Sequence, residues 1–513
     1  MAREEAAAAP QAGFAQRFEA ARARHGIGLA PGETEGLLRL AAWMHDGLAG
    51  LPEAPGTAVS EAVLDLPILE QGKRLRDGRS SATALTEACL ARIAARDPAY
   101  LSFYRVLAEA ALADAARADA ELAAGRDRGP LHGIPVGIKD LIDVAGVPTT
   151  ANAPGRADAV AATDAEVVRR LRAAGAVIIG KLATYEWATV GPDRRGLFPP
   201  ARNPWNAAHI TGGSSSGCAA AVAGGLLRTS VGTDTGGSVR GPAFYCGVVG
   251  LKPSLGTVPM AGVLPLSPSL DHVGPVSASV AEAALTLDVL AGLGPEASAG
   301  RLLGRPVAGL GIAYARNWFA RDPALMPEVL SALDAAVSTL SGLGARVTEV
   351  ELPDYAGVEV AVAAILHAES FSLHAAALRD HPEAYGRRAF LSLAAGLALS
   401  EAELEAARGA ARAFRAAVDA VLERHDVLVT AGALTTALPA APFEKEAVWT
   451  PMRTIGFNAS GHPVLALPVG FHDGLPIGMQ VVGPHRGEAL VVQVGHAFEQ
   501  ATDFSLQRPP RPE

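Results

Sequence analysis

The sequence is poor in cysteine and has no excess of positive charge. Its three cysteines, Cys89, Cys218 and Cys246, are too few for a disulfide framework and lack the spacing of metal ligands. We therefore expect them to be small, buried packing residues. The formal net charge of −9 argues against nucleic acid or an anionic membrane as the main partner.

Long apolar runs are also scarce. The uncharged stretch 203–227 contains asparagine, proline, a serine run and several glycines, which a lipid-facing helix disfavours. The start of the chain, residues 1–5, is acidic and lacks the apolar core of a signal peptide. We therefore expect a cytoplasmic protein with no membrane partner.

The composition is that of a globular chain with a large core, since 49% of the residues are hydrophobic and 19% are charged. Residues 1–62 are predicted to form an N-terminal helical extension, suited to packing or to a homodimer contact. Residues 63–513 are predicted to form one domain, with 354–450 a variable, mostly helical region near the substrate site. Strand–helix alternation between residues 131 and 352 predicts an α/β fold. Its core is a mixed, largely parallel β-sheet flanked by helices on both sides.

One lysine and two serine-rich glycine loops carry the candidate chemistry. Lys139 follows the apolar stretch 133–138, and the loops are 212–217 and 233–238. A serine needs a base to take its proton, and a neutral lysine can act as that base. Burial that lowers a lysine pKa from about 10.4 to about 7 costs roughly 4–5 kcal/mol. A carboxylate at Asp140 would hold the proton on the lysine, so we expect it to point away. The alternative is an ordinary lysine in a buried ion pair.

The glycine loops suit an anion site. Consecutive small residues in 235–238 let backbone N–H groups converge on an oxyanion, with a serine beside them for attack. The alternatives are a structural turn and, for 214–216, a cap for the helix that begins near Cys218.

Residues 213–217 also match the Gly-x-Ser-x-Gly pattern of a nucleophile elbow. That elbow needs a strand directly before it, and the sequence 202–206 does not favour a strand. A Ser-His-Asp site using His462 or His472 is therefore disfavoured. The histidines have no ligand spacing along the chain, so we expect no catalytic metal and no cofactor.

Taken in order, these motifs resemble the amidase signature family over about residues 65–500. The matching stretches are 129–135, 139–140, 203–205, 212–217, 232–240, 246–253, 271–275, 457–458, 461–463 and 474–480. The resemblance implies the amidase signature fold and a Ser-cisSer-Lys triad. Each stretch alone is weak, but the ordered set is specific.

The resemblance also implies a role for each site residue. Ser238 matches the nucleophile, Ser214 the bridging serine and Lys139 the general base. The peptide bond between Ser214 and Ser215 is expected to be the cis bond. The oxyanion hole is matched by the backbone N–H groups of Thr235, Gly236, Gly237 and Ser238.

Departures from the family pattern lie where substrate fit is set, for example at 182–187 and 430–432. They place the choice of substrate in question rather than the chemistry. The pocket candidates are Tyr185, Trp187, Ala188 and Ile455. Arg240, which follows the nucleophile, is predicted either to anchor a substrate carboxylate or to form a structural ion pair.

The resemblance implies an amidohydrolase that cleaves the C–N bond of small or aryl amides through an acyl-enzyme. Esters and carbamates (urethanes) are chemically close, since they form the same oxyanion. The alternative is the glutaminase (A) subunit of a glutamyl-tRNA amidotransferase, which the N-terminal extension and the acidic net charge disfavour. An inactive binding module would normally have lost Lys139, Ser214 or Ser238. The expected partner is a small amide-type molecule.

Overall fold

The computed structural model describes residues 61–512. The predicted N-terminal extension, residues 1–62, lies outside the described residues except for its last two positions. The strands are β1 (Phe103–Val106), β2 (Pro135–Lys139), β3 (Val177–Leu182), β4 (Thr229–Asp234), β5 (Val249–Lys252), β6 (His272–Ser277), β7 (Gly311–Tyr314), β8 (Arg346–Glu349), β9 (Val427–Ala431), β10 (Val464–His472) and β11 (Leu475–Val482).

The α-helices precede, connect and follow these strands in the chain. They are α1 (Ile68–Arg76), α2 (Ala82–Tyr100), α3 (Ala108–Ala123), α4 (Glu166–Ala173), α5 (Ser216–Ala223), α6 (Arg240–Cys246), α7 (Val280–Ala291), α8 (Pro327–Gly342), α9 (Tyr355–Asp380), α10 (Arg387–Ala394), α11 (Glu401–Leu422), α12 (Ala441–Lys445), α13 (Gly456–Ala459) and α14 (Glu488–Ala501).

Within the described residues the strands form one eleven-stranded sheet, in the order β1-β3-β2-β4-β6-β5-β10-β11-β9-β7-β8. Helices pack against it on both faces, so the predicted mixed sheet flanked by helices is confirmed. Four pairs of neighbouring strands in the described part are parallel, in the runs β3–β2–β4 and β9–β7–β8. The central pairs are antiparallel, and β10 and β11 are joined by the two-residue turn Asp473–Gly474, in which both residues have positive φ. The alternation of strands and helices along the sequence does not by itself predict these antiparallel strand pairs at the centre of the sheet.

The α2 helix illustrates how local sequence sets an element. The Ser81 hydroxyl accepts a hydrogen bond from the backbone N–H of Ala84 at 3.0 Å and so caps the first turn. Leu85, Cys89 and Ile93 then recur at helical spacing and are buried. The three cysteines are free and buried, as predicted.

Two buried parallel strands bring the candidate residues to one edge of the sheet. In β2 and β4, Ile138 lies opposite Val231. Every residue of both strands is buried. Because the carboxyl ends of parallel neighbours meet at the same edge, Lys139 at the end of β2 lies beside the last residues of β4.

The segment 354–450 contains helices α9 to α12 and also strand β9, which pairs with β11 and β7 inside the sheet. Among the described residues, α9 is the one helix long and apolar enough to cross a membrane by length and composition. Of its most apolar window, 28% is buried within the described structure, so α9 is not a fully buried core helix. In this fold α9 packs against α11 and α10 and contributes side chains to the cavity described below.

Candidate active site

Lys139 is fully buried at the end of β2. Its Nζ atom lies 2.7 Å from the Ser214 hydroxyl and 2.8 Å from the Thr233 hydroxyl. Both contacts are in the range of good hydrogen bonds. The lysine and the serine that the sequence places 75 residues apart are therefore in direct contact.

Burial lowers the pKa of Lys139 from its ordinary value of 10.5 to about 7. Desolvation penalises the ammonium form, since water no longer stabilises its charge. The carboxylates of Asp234 and Asp271 act in the opposite direction. The nearby Cys218 thiol brings no charge at neutral pH, because burial raises its own pKa to about 12. The neutral amine is thus accessible near neutral pH.

Asp140 does not pair with Lys139, as predicted. One oxygen of its carboxylate lies 2.9 Å from Lys181 Nζ. The other accepts hydrogen bonds from the backbone N–H and the hydroxyl of Thr150. The carboxylate beside Lys139 in sequence is therefore already compensated by a different lysine, and does not hold a proton on the catalytic candidate.

The first serine loop contains a cis peptide bond between Gly213 and Ser214. The prediction that placed the cis bond between Ser214 and Ser215 is wrong. The sequence pattern marks the serine but gives no local signal for which of its two peptide bonds is cis. A side chain at Gly213 would overlap the Tyr185 ring, whose nearest atom is 2.0 Å from an added Cβ. The glycine is needed because Tyr185 packs directly on the loop.

The second loop is held from inside by the Asp234 carboxylate. That carboxylate accepts the backbone N–H groups of Gly237 at 2.9 Å and Val239 at 3.0 Å. Within the described residues, the N–H groups of Thr235, Gly236 and Ser238 donate to no other protein group. Of the four predicted oxyanion donors, three are thus free and the Gly237 N–H is already used.

Arg240 forms a structural ion pair rather than a substrate anchor. It is fully buried, and its guanidinium donates to both oxygens of Asp234 at 2.9 and 3.0 Å. It also donates to Gln480 and Asn458 at 2.9 and 2.6 Å. Burial by itself would raise the pKa of Asp234, but the guanidinium holds that pKa well below its usual range.

A cavity of about 620 Å³ opens onto the second loop and Ser238. Three of the pocket candidates, Tyr185, Ala188 and Ile455, line it. Lining residues that the sequence did not indicate are Leu266, Tyr355, Glu359, Leu366, Trp449 and Met452. Most of them come from segment 354–450, where no local motif marks a side chain as facing the site.

Trp187, the fourth pocket candidate, does not line this cavity. Its backbone has a positive φ of 50°. Its indole packs edge-on against His374, with ring centroids 4.5 Å apart, and it lines a neighbouring cavity of about 780 Å³ with Tyr385. The prediction for Trp187 is therefore corrected. The position of Trp187 between Tyr185 and Ala188 did not reveal the backbone turn at this residue.

The histidines named for a Ser-His-Asp site lie elsewhere. His462 contacts Ser460 and Asp419, and His472 lies beside Asp473; neither lines the catalytic cavity. Thr233, by contrast, is a contact of Lys139 that sequence reasoning missed. The available signal was its position near the end of β4, the parallel neighbour of β2.

Comparisons with known proteins agree with this geometry. The family model described as Amidase matches residues 84–492. A curated relative from Synechococcus sp. (strain WH7803), named as the A subunit of glutamyl-tRNA(Gln) amidotransferase, is 37% identical over 86% of this chain and 99% of its own length.

Solved structures give the same assignment. A crystal structure described as an amidase is 34% identical, has a TM-score of 0.76, and the match covers 84% of this chain and 99% of that one. The peptide amidase of Stenotrophomonas maltophilia is 30% identical, with a TM-score of 0.75 over 88% of this chain and 99% of its own. The chain therefore belongs to the amidase signature family, and is a hydrolase that acts on carbon–nitrogen bonds.

Proposed function

We propose that this chain hydrolyses carboxamides through an acyl-enzyme on Ser238, with Ser214 and Lys139 as the proton relay. The observation that carries the proposal is the 2.7 Å contact between the buried Lys139 amine and the Ser214 hydroxyl. It is supported by the position of Ser238, which lies in the cavity wall beside the free N–H groups of Thr235 and Gly236.

The proposed proton path starts from the Lys139–Ser214 contact and extends it to Ser238. Neutral Lys139 has a lone pair that takes the Ser214 proton, and Ser214 takes the proton of Ser238 as that serine attacks the amide carbon. The new C–O bond places negative charge on the carbonyl oxygen, which the free N–H groups stabilise. The C–N bond then breaks as Ser214 returns its proton to the leaving amine and Lys139 restores the proton of Ser214.

Deacylation runs the same path with water. A water molecule attacks the acyl carbon and passes its proton through Ser214 to Lys139. The bond from the carbon to Ser238 then breaks, Ser238 recovers its proton from Ser214, and Lys139 returns a proton to Ser214. Thr233, at 2.8 Å from the lysine amine, orients Lys139 throughout.

The first substrate class that we propose is a small or aryl amide. An added Cβ at Gly236 would lie 3.4 Å from Ile455 and 3.9 Å from Leu366, so apolar side chains stand directly beside the oxyanion loop. The acyl or aryl group next to the scissile bond would contact these side chains. Esters and carbamates would generate the same oxyanion at the same place.

The second candidate is glutamine hydrolysis as the A subunit of a glutamyl-tRNA amidotransferase. The names of the curated relatives favour it over the first, with 34–37% identity to this chain among those compared. The cavity also carries the two signs of charge that a free amino acid needs. Its lining includes the basic residues Arg195, Arg387, Arg388 and Lys445 and the acidic residues Glu359 and Glu446.

A substrate panel separates the two candidates. The full chain would be given glutamine, a linear aliphatic amide, an anilide and a carbamate, and release of ammonia or amine would be measured, with S238A as the control. Turnover of anilides or aliphatic amides by the chain alone supports the first candidate. Activity confined to glutamine, and dependent on the other components of the amidotransferase, supports the second.

Acyl transfer to hydroxylamine tests the shared chemistry. An acyl-enzyme passes its acyl group to hydroxylamine and yields a hydroxamate, which is detected by its iron complex. The parent protein should form the hydroxamate from any accepted amide, and S238A should not. Equal hydroxamate formation by S238A would refute the acyl-enzyme on Ser238.

A further inference from the structure

We infer that Asp419, His462 and His485 form a binding site for a divalent transition-metal ion such as Zn²⁺. This metal-site cluster is separate from the catalytic cavity, since none of its three residues lines that cavity. The inference does not depend on the proposed hydrolysis. The three residues come from α11, the turn before β10 and the connection between β11 and α14.

The ligand atoms converge on one oxygen. Asp419 Oδ1 lies 3.0 Å from His462 Nε2 and 3.7 Å from His485 Nε2, and all three ligand atoms lie within 4.8 Å of one another. In a tetrahedral zinc site with bonds of about 2.0–2.1 Å, neighbouring ligand atoms are about 3.3 Å apart. The two separations from Asp419 Oδ1 bracket that value, and the two imidazole nitrogens lie within 4.8 Å of each other, so a contraction by side-chain shifts brings the set to metal-binding distance.

His462 Nε2 and Asp419 Oδ1 share a hydrogen bond at 3.0 Å, which a metal ion would replace. His485 Nε2 is buried and has no hydrogen-bond partner among residues 61–512. The second oxygen of Asp419 faces Arg415, whose Nε lies 3.8 Å away, so Oδ1 is left to the imidazoles. A buried ring nitrogen without a partner is costly, and a metal ion would satisfy it.

A second set of contacts orients His462. Its Nδ1 lies 3.0 Å from the Ser460 hydroxyl, and its main-chain carbonyl accepts a hydrogen bond from Lys252 Nζ at 2.7 Å. Metal-binding histidines usually have such a partner on the other ring nitrogen, which fixes the ring so that one nitrogen faces the ion. His462 is fully buried, whereas Asp419 is partly exposed and gives an ion access from solvent.

The donor set indicates the class of metal. Two imidazoles and one carboxylate suit Zn²⁺, Co²⁺ or Ni²⁺, with water completing the coordination, whereas Mg²⁺ and Ca²⁺ prefer oxygen ligands throughout. The bound ion would join three segments distant in sequence. It would therefore act as a clamp between α11 and the sheet.

The test uses the untagged full chain, stripped with chelator and titrated with Co²⁺ as a spectroscopic probe. We expect visible d–d absorption that saturates at one equivalent and is displaced by Zn²⁺. D419N replaces the carboxylate with a neutral and weaker amide ligand, and H485A removes an imidazole, both at partly exposed positions. Both should weaken Co²⁺ binding by more than about 100-fold, since loss even of a partner of a ligand costs about 10- to 100-fold.

H472A is the matched control. His472 lies 3.4 Å from Asp473, so it is another His–Asp pair at the surface, but it does not belong to the cluster. Circular dichroism would show that all three variants remain folded. Unchanged binding in H472A, with loss in D419N and H485A, supports the site. Absence of Co²⁺ absorption in the parent, or binding by D419N and H485A equal to that of the parent, overturns it.

Discussion

A change of pH across the titration of Lys139 is the most direct test of the proposed base. Lys139 is fully buried, and its pKa is lowered from 10.5 to about 7. That difference corresponds to about 5 kcal/mol of lost stabilisation of the ammonium form. The neutral, active form should therefore be fully populated in mildly alkaline solution and not only above pH 10.

The expected profile of kcat/KM follows from this value. With a neutral amide as substrate, kcat/KM should reach a plateau above about pH 8 and fall about tenfold per pH unit below about pH 7. At about pH 5 it should be about 1% of the plateau. A profile that keeps rising through about pH 10 would show that Lys139 titrates as an ordinary lysine and would refute the argument.

Glu186 supplies the matched control, because burial raises the pKa of its carboxyl to about 7 as well. It accepts a hydrogen bond from the Gly386 N–H at 2.8 Å and is not part of the relay. The E186Q variant should keep the acid limb of the profile. Loss of that limb in E186Q would assign the titration to Glu186 instead of Lys139.

Three further results are expected. S238A should lower turnover by at least about 10⁴-fold in the amine-release assay, because it removes the attacking atom, while circular dichroism stays unchanged. Between its folded pKa near 7 and its unfolded value of 10.5, Lys139 binds a proton only in the unfolded state, so stability rises with pH. The buried Lys181 and Lys252 also have lowered pKa values and add a dependence of the same sign, so the contribution of Lys139 is isolated by comparison with K139M. In urea denaturation from about pH 7 to about pH 9, the parent should gain about 2 kcal/mol more than K139M does. R240A should lower the free energy of unfolding in the same assay by about 3–5 kcal/mol, because it leaves the buried Asp234 carboxylate unpaired; a loss below about 1 kcal/mol would contradict the pairing argument.

The sequence predicted the parts of the site that are local in the chain. The lysine after an apolar strand and the glycine loops could be recognised because strand, turn and helix onset each have a pattern of their own. Burial of Lys139 followed from the apolar strand before it, whereas the direction of Asp140 away from Lys139 was expected because a neutral lysine requires it. The buried contact of Asp140 with Lys181 explains that direction.

What the sequence could not predict depends on contacts between distant segments. The side-chain direction of Trp187 is set by a positive φ and by packing against His374, a residue of α9. The hydrogen bond from the Gly237 N–H to the Asp234 carboxylate could not be predicted, because it depends on the closed shape of the loop. The cluster of Asp419 with two histidines spans 66 positions of the chain, so no spacing along the sequence reveals it.

The separation along the chain between the strands β2 and β4 and the segment 354–450 has a practical consequence. Lys139, Ser214 and Ser238 all precede residue 250, whereas much of the cavity wall comes from residues after 350. The proposed reacting groups thus lie in the earlier stretch of the chain, and the later stretch contributes much of the cavity wall, together with Tyr185, Ala188 and Leu266 of the earlier one. Replacing the later stretch with that of a relative that accepts other molecules is therefore a rational engineering route, because the exchange leaves the reacting groups untouched.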